Sequence, residues 1–283
     1  MAEGLQHTPW DQELAGNWEP PQIDTSIPHP NRMYNYLIGG KDHFKADRDA
    51  AESLIKARPD TVITARAVES FTRRAVVKLA EQGIRQFLQL GAAITIANSN
   101  DRTAGESAPD TRTFVYVADD PISLAHARAL LVGRGGPPVT VIGGNFREPQ
   151  DILARPGLSG RLDFDQPIGL LLFGMLDYIA SDRRARRALD FLMDKVAPGS
   201  MAALFHVIEV ESEEVNNALD AALAQDQIEL TPRTAEHVHD LVKGYEFLPP
   251  GLVPITSWHA DSTGPGRELA DRTAAIGGVI IKR

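Results

Sequence analysis

The chain has 283 residues, of which 43% are hydrophobic and 24% are charged, proportions typical of a folded globular protein. A net charge of -9 argues against nucleic-acid binding, because neutralising phosphates requires a basic face. The sequence contains no cysteine, which excludes disulfides, cysteine-ligated zinc and thiol catalysis.

The first 30 residues are rich in proline and polar groups and are predicted to form an extended arm. They contain neither a basic segment nor an apolar segment of the kind found in secretion signals. No apolar run approaches the roughly 18 residues that a membrane span needs. We therefore expect a cytoplasmic protein with no membrane association.

Residues 31–83 are predicted to form a helical cover. A short helix over "NRMYNYL" is followed by a break at Gly39 and Gly40, and an amphipathic helix then begins near Asp47. A longer helix covers "TARAVESFTRRAVVKLAEQ" and is predicted to stop at Gly83.

Residues 84–283 alternate between short apolar runs and helical segments. The runs are "RQFLQLG", "TFVYVADD", "PVTVIGGN", "IGLLLFGML" and "SMAALFHVIEV". Strands with little internal alternation that are separated by helices indicate a parallel sheet covered on both faces. The C-terminal segments "GYEFLPPGLVPITSWHA" and "AIGGVIIKR" are typical of an antiparallel hairpin at the sheet edge. A ligand would bind beyond the carboxyl ends of the parallel strands.

Several blocks of this sequence resemble a known family. They are "NRMYNYLIGGKDHFKADRDAA", "EQGIRQFLQLG", "VYVADDPISLAHARALL", "GNFREPQDIL", "LLLFGMLDYI", "VAPGSMAALFH" and "GGVIIKR". Together they are similar to the actinobacterial S-adenosylmethionine-dependent methyltransferases, once catalogued as a domain of unknown function. The resemblance implies an α/β, Rossmann-like methyltransferase fold with a mostly parallel seven-stranded sheet. It also implies S-adenosylmethionine as cofactor and a small-molecule substrate in secondary metabolism.

The resemblance carries over a set of cofactor-binding residues. The first loop supplies backbone contacts, an acid after the second strand meets the ribose, the third loop meets the adenine, and the helical cover closes the pocket. The implied residues are Gly91 and Ala92, Asp119 or Asp120, Asn145 and Phe146, and, from the cover, Tyr34, Tyr36, Gly39, Gly40 and Lys41.

Asn145 replaces an aspartate and Asp177 a histidine of the family pattern, and three further departures leave open whether the cofactor binds. The family's Asp-x-Gly-x-Gly loop here begins at Gln89 and ends at Ala93, so an acid and a glycine are missing. A Cβ at Ala93 obstructs close backbone approach to a ligand. Ala118 occupies the position of the ribose-binding acid, and Asp119 can replace that acid only if the strand end shifts by one residue.

The segment after this loop, from Ala97 to Arg112, has no large apolar side chain. A helix without an apolar stripe has little to bury against a sheet. We expect a loop or a frayed helix here.

Three functions remain open from the sequence. In a working methyltransferase, Asp177 and His206 are the acid or base candidates, because both follow or end a strand on the active face. Alternatively, the fold has been recruited for a cyclisation, elimination or hydrolysis, or the protein is a non-catalytic binding protein.

His206 also fits an ordinary core histidine. His237 and His239 lie on different faces of a helix, so we expect no metal site. The sequence leaves the oligomeric state open.

Overall fold

The computed structural model describes residues 24–91, 99–133, 135–155, 157–158, 160–260 and 266–283. The helices within these ranges are α1 (Pro30–Leu37), α2 (Lys45–Ala57), α3 (Thr61–Glu81), α4 (Asn100–Ser107), α5 (Pro121–Leu131), α6 (Pro149–Leu153), α7 (Asp182–Lys195), α8 (Glu213–Gln225) and α9 (Ala235–Leu241). Two 3-10 helices cover Leu176–Tyr178 and Arg267–Arg272. None of the described helices is long and apolar enough to cross a membrane.

One sheet organises the molecule, and it confirms the predicted α/β fold class. Its strands are β1 (Gln86–Leu90), β2 (Thr113–Ala118), β3 (Val139–Gly143), β4 (Gly169–Phe173), β5 (Met201–Val207), β6 (Glu246–Phe247), β7 (Val253–Pro254) and β8 (Ala275–Ile281). The order is β3-β2-β1-β4-β5-β8-β6, and β7 also pairs with β8. The first five strands are parallel, whereas β8 runs antiparallel to β5.

The strand count differs from the predicted seven because the edge strand is divided. Both β6 and β7 pair antiparallel with β8, opposite Ile280 and Ile281 in one case and Ile276 and Gly277 in the other. They therefore occupy one position in the sheet, at successive points along β8.

Both faces of the sheet are buried, which explains why the strands are largely apolar. Alternate residues of β1 face opposite layers: Phe87 packs in the cluster with α3, and Leu88 packs in the cluster with α7. A third, smaller apolar cluster joins α1 and α2 to α8.

Within the segment predicted to be a loop or a frayed helix, Asn100–Ser107 forms the helix α4, whereas Ala97 and Asn98 lie outside the described residues. Polar anchors hold it in place of an apolar stripe. Asn100 Nδ2 donates to Gln89 Oε1 over 2.9 Å, and the Tyr116 hydroxyl donates to Asp101 Oδ1 over 2.7 Å. All four side chains are at most 4% exposed. The loop prediction was wrong because it considered only apolar burial.

A buried arginine attaches the N-terminal helices to the sheet. Arg32, in α1, donates from Nε to both oxygens of Asp47 in α2 over 3.0 Å. Its Nη1 donates to Asp120, at the start of α5, over 2.9 Å. This arrangement places α1 across the carboxyl ends of the strands.

Candidate functional site

The carboxyl ends of β1, β2 and β4 meet where the strand order reverses. The chain runs outward from β1 through β2 to β3 and then returns to place β4 on the other side of β1. In open α/β sheets this is the usual position of a ligand. Gly91 lies at the centre of this region with φ +125, and a Cβ there would overlap the carbonyl oxygen of Phe173. Glycine is therefore required at this position by the contact with the end of β4.

A cavity of about 350 Å³, here called the polar cleft, lies beyond the ends of β2 and β3. Its lining combines the segment before α1, the two strand ends and the turn after α8. The lining residues are Pro28, His29, Pro30, Asp119, Asn145, Arg147, Gln227, Ile228 and Glu229.

Asp119 is the central charged group of the polar cleft. Its Oδ1 lies 3.4 Å from His29 Nε2, and its Oδ2 lies 3.4 Å from Arg147 Nη1. Oδ1 is buried and has no hydrogen-bond partner among the described residues. Burial raises the pKa of the Asp119 carboxyl, and burial lowers the pKa of His29. The cleft therefore offers one buried acceptor that a ligand hydroxyl can satisfy.

Arg147 is fixed at the mouth of the polar cleft. Its Nε donates to the carbonyl oxygen of Tyr178 over 3.0 Å. Its guanidinium lies over the ring of Phe146, 4.8 Å from the centroid, and 5.7 Å from that of Tyr178. Phe146 itself is fully buried, whereas Asn145 is exposed and its side chain accepts from the Arg147 backbone N–H.

Both carboxylate oxygens of Asp120 accept hydrogen bonds that stabilise the fold. It caps α5 by accepting from the backbone N–H of Ser123 over 2.7 Å and from the Ser123 hydroxyl over 2.8 Å. Its other oxygen receives Arg32. Of the two adjacent acids, only Asp119 presents an unpartnered oxygen.

A second cavity, here called the apolar cavity, lies beyond the ends of β4 and β5. Its volume is about 110 Å³. Helices α1, α2, α3 and α8 cover it with mainly hydrophobic side chains. The lining residues are Pro30, Met33, Tyr34, Leu37, Leu54, Arg58, Thr61, Thr64, Ala65, Val68, Phe173, Gly174, Asp177, Tyr178, Phe205, Val207, Leu219, Ile228 and Leu230. Pro30 and Ile228 line both this cavity and the polar cleft, so the two are neighbours.

Asp177 is a buried acid in the lining of the apolar cavity. Its Oδ1 accepts from the backbone N–H of Val207 over 2.6 Å. Its Oδ2 has no hydrogen-bond partner among the described residues. Burial raises the pKa of Asp177, because the charged form loses its hydration.

His206 lies behind Asp177 and is completely buried. Its Nδ1 is 3.4 Å from Asp177 Oδ1 and 2.7 Å from the carbonyl oxygen of Val207. Its Nε2 is 2.7 Å from Nη1 of Arg233, which also donates to three backbone carbonyls and to Asp182. Because an arginine only donates, Nε2 is the acceptor and Nδ1 carries the proton. The structure thus brings Asp177 and His206 together, but only Asp177 lines the cavity.

Of the cofactor-binding residues predicted in the helical cover, Tyr34 lines one of the two cavities, whereas in the described part of the chain the others do not. Tyr34 lines the apolar cavity, and its hydroxyl is 3.5 Å from the carbonyl oxygen of Ala65. Tyr36 donates to Glu52, and Gly39 and Gly40 form the turn after α1, where Gly39 has φ +85. Lys41 is exposed. Within the described structure, these last four residues line neither the polar cleft nor the apolar cavity.

The three departures from the family pattern have different structural settings. Gln89 is fully buried and holds α4 through Asn100. Ala118 is the last residue of β2 and is 2% exposed. Ala92 and Ala93 lie outside the described residues.

Sequence reasoning missed most of the residues that line these cavities, including the cationic or titratable side chains of His29, Arg147 and Arg58. His29 and Arg58 lie near prolines in stretches that contain no site motif, so nothing local marked them. Arg147 follows Asn145 and Phe146 directly, and its position after a strand end was a usable signal.

Comparison with known proteins assigns the family. The model of the S-adenosyl methyltransferase family matches residues 16–283. The chain belongs to this family. It is therefore an S-adenosylmethionine-dependent methyltransferase-like protein, and the predicted resemblance is confirmed.

Two solved structures are similar over nearly the whole chain. One is a DUF574-family protein of Streptomyces avermitilis, with 29% identity, a TM-score of 0.85, and coverage of 93% of this chain and 100% of the other. The second is a candidate methyltransferase of Thermobifida fusca, with 31% identity, a TM-score of 0.83, and coverage of 95% and 100%. No curated protein sequence matches the chain.

Proposed function

We propose that this protein transfers a methyl group from S-adenosylmethionine to a small molecule with an apolar body. The observation that carries the proposal is the unpartnered Oδ1 of Asp119 in the polar cleft, next to a largely apolar cavity. Family membership supports the choice of cofactor, and nothing in the two cavities favours the non-methylating alternatives.

The polar cleft fits the adenosine part of the cofactor. Asp119 Oδ1 would accept a hydrogen bond from a ribose hydroxyl, because a buried carboxylate oxygen without a partner is costly. We place the adenine beside Asn145 and Arg147, with the fully buried Phe146 supporting the Arg147 guanidinium from behind. The backbone at Gly91 would approach the methionine part. When bound, the cofactor supplies an electrophilic methyl group on a sulfonium.

The apolar cavity would hold the methyl acceptor. Its hydrophobic lining excludes water and restricts the orientation of the acceptor, which is the main requirement of a single displacement. Asp177 Oδ2 would accept a hydrogen bond or the proton from the acceptor's hydroxyl or amine. His206 would act as a positioning residue, because it contacts Asp177 Oδ1 and does not line the cavity.

Calorimetric titration with S-adenosylhomocysteine and S-adenosylmethionine tests the cofactor assignment. The wild type should bind in the micromolar range. Asp119→Asn should weaken binding about tenfold or more, because a hydrogen bond to a charged group contributes about 1.5–3 kcal/mol. Asp110→Asn is the matched control, since Asp110 is exposed and pairs with Arg85 before the start of β1. A wild type that binds neither compound would refute the cofactor assignment.

Methyl transfer is tested separately from cofactor binding. In a strain that produces the protein, Asp177→Asn should keep S-adenosylhomocysteine affinity and remove one methylated metabolite from the profile. A metabolite profile identical to that of the wild type would remove Asp177 from the chemistry.

A further inference from the structure

Arg58 is a buried cation in the wall of the apolar cavity. It lies in the turn between α2 and α3 and is 6% exposed. Its Nη1 donates to the carbonyl oxygen of Ile208 over 3.1 Å, which holds the side chain against the end of β5. Its Nε is buried without a hydrogen-bond partner among the described residues.

The charge of Arg58 is not balanced by a paired carboxylate among the described residues. Burial lowers the pKa of Arg58, and the charge of Asp60, which favours the protonated form, acts in the opposite direction. Asp60 Oδ1, however, already accepts from Arg272, from Nε over 3.0 Å and from Nη2 over 2.6 Å. A buried cation with an unused donor is unfavourable for folding, so it indicates a ligand that supplies the missing anion.

The anion is distinct from the carboxylate of the cofactor's methionine part. In the proposed arrangement that carboxylate lies near Gly91, at the end of β1, whereas Arg58 is attached beyond the end of β5. In the sheet, β4 separates β1 from β5. With a strand spacing of about 4.8 Å, the two positions are roughly 10 Å apart.

An acidic side chain, Asp177, and a basic one, Arg58, are therefore both held at the end of β5. Asp177 accepts from the backbone N–H of Val207, and Arg58 donates to the carbonyl oxygen of Ile208, the next residue. Each retains one buried polar atom without a partner. The rest of the cavity wall is mainly hydrophobic.

We propose that the methyl acceptor is a carboxylic acid with an apolar body, and that Arg58 binds its carboxylate. This inference rests on the proposed function for the role of the cavity as acceptor site. The carboxylate lies at Arg58, the apolar body fills the cavity, and the hydroxyl or amine to be methylated faces Asp177.

The first test uses the wild-type protein without cofactor. Benzoate, phenylacetate, 3-phenylpropionate, hexanoate and octanoate are each compared with the corresponding primary amide by calorimetry and thermal shift. At least one acid should bind about tenfold or more tightly than its amide, because the charge-assisted hydrogen bond is lost in the amide. The aromatic and aliphatic acids distinguish the two kinds of apolar body. No preference for the acid in any pair would overturn the inference.

The second test assigns the preference to Arg58. Arg58→Gln should remove the discrimination between acid and amide, and Arg58→Lys should restore part of it. Arg102→Gln is the control, because Arg102 is exposed on α4 and pairs with Glu106, which is also exposed. An arginine with a purely structural role would change stability in the variants but leave the ratio of acid to amide affinity unchanged, which would overturn the assignment.

Cofactor titrations keep this inference distinct from the proposed function. Arg58→Gln should bind S-adenosylhomocysteine as the wild type does. If it loses that affinity while the acid preference is unchanged, Arg58 holds the cofactor and the inference fails. If the wild type prefers acids but binds no cofactor, the cavity assignment stands and the methyltransferase proposal fails.

Discussion

Three consecutive residues at the end of β2 have three different roles. Ala118 completes the strand, Asp119 enters the polar cleft, and Asp120 caps α5 and receives Arg32. The acid that a ligand can use is therefore one residue beyond the position where the family motif places it. Asp119 can serve as the ribose-binding acid of this chain if the cofactor binds one residue further along, beside Asp119.

His29 should make stability depend on pH. Burial lowers its folded-state pKa below the usual 6.5, although Asp119 and Asp120 act in the opposite direction. Between those two pKa values the unfolded chain binds more protons, so stability falls as the pH drops below about 6.5. The free energy of unfolding is measured in urea at about pH 7.5 and pH 5.5. Its decrease from the higher to the lower pH should be smaller for His29→Asn than for the wild type.

Asparagine suits this test because it is a good helix N-cap, the role that His29 has in α1. His237→Asn, on an exposed part of α9, controls for the loss of a histidine elsewhere. Equal losses of stability in the wild type and His29→Asn would contradict the expected linkage.

Gly91 should tolerate substitution much less well than another glycine of positive φ. Gly91→Ala places a Cβ against the carbonyl oxygen of Phe173, with Met175 N only 3.1 Å away. Gly83→Ala meets no atom within 4 Å at φ +90. We expect a loss of about 1–2 kcal/mol for Gly83→Ala from backbone strain alone. Gly91→Ala should lose on the order of 4 kcal/mol or fail to fold.

Equilibrium urea unfolding of both glycine variants checks this difference. Similar losses would show that the ends of β1 and β4 can move apart. In that case the requirement for glycine at position 91 would have to come from the ligand.

At the scale of elements, α4 depends on polar contacts with β1 and β2. The Tyr116 hydroxyl donates to Asp101 Oδ1 over 2.7 Å and accepts from the Asp101 backbone N–H over 3.0 Å. Tyr116→Phe removes both bonds and leaves a buried carboxylate with one partner fewer. We expect a loss of about 1–3 kcal/mol in the free energy of unfolding.

Tyr245→Phe is the matched control for this element. The Tyr245 hydroxyl donates to Asp190, whose side chain is 42% exposed and also accepts from Arg186, so water replaces the lost bond and the loss should stay below about 1 kcal/mol. If the two variants lose equal stability, the buried pair does not hold α4.

The contrast between β1 and α4 shows what the sequence could predict. The apolar residues Phe87, Leu88 and Leu90 mark a strand buried on both faces, and this signal is local. Helix α4 depends on Gln89 and Tyr116, whose pairing with Asn100 and Asp101 exists only after the strands have assembled. Arg58 is similar, because its contact at Ile208 lies 150 residues away in the sequence.

At the scale of the whole molecule, the helical cover and the sheet are joined through Arg32. His29 and Pro30, three and two residues before it, line the polar cleft, and Pro30 also lines the apolar cavity. The position of α1 therefore determines the shape of the polar cleft and of the apolar cavity together. A change at Arg32 should reach both sites although Arg32 lines neither.

Arg32→Met should destabilise the molecule and impair the polar cleft. It leaves Asp47 and Asp120 buried without their shared cation, and breaking a buried ion pair costs about 3–5 kcal/mol. We expect this loss in urea unfolding, together with faster proteolysis within α1 and α2. Affinity for S-adenosylhomocysteine should also fall, because His29 and Pro30 lose their fixed position beside Asp119.

Lys45→Met is the control for the loss of a cation in the cover. Lys45 and Asp49 form an exposed pair on α2, and such pairs contribute about 0–1 kcal/mol. If Arg32→Met loses global stability but retains normal cofactor affinity and protease resistance in α1, the cover is held by its apolar contacts with α3 and α8. Loss of both properties together would show that one buried ion network sets the geometry of cleft and cavity.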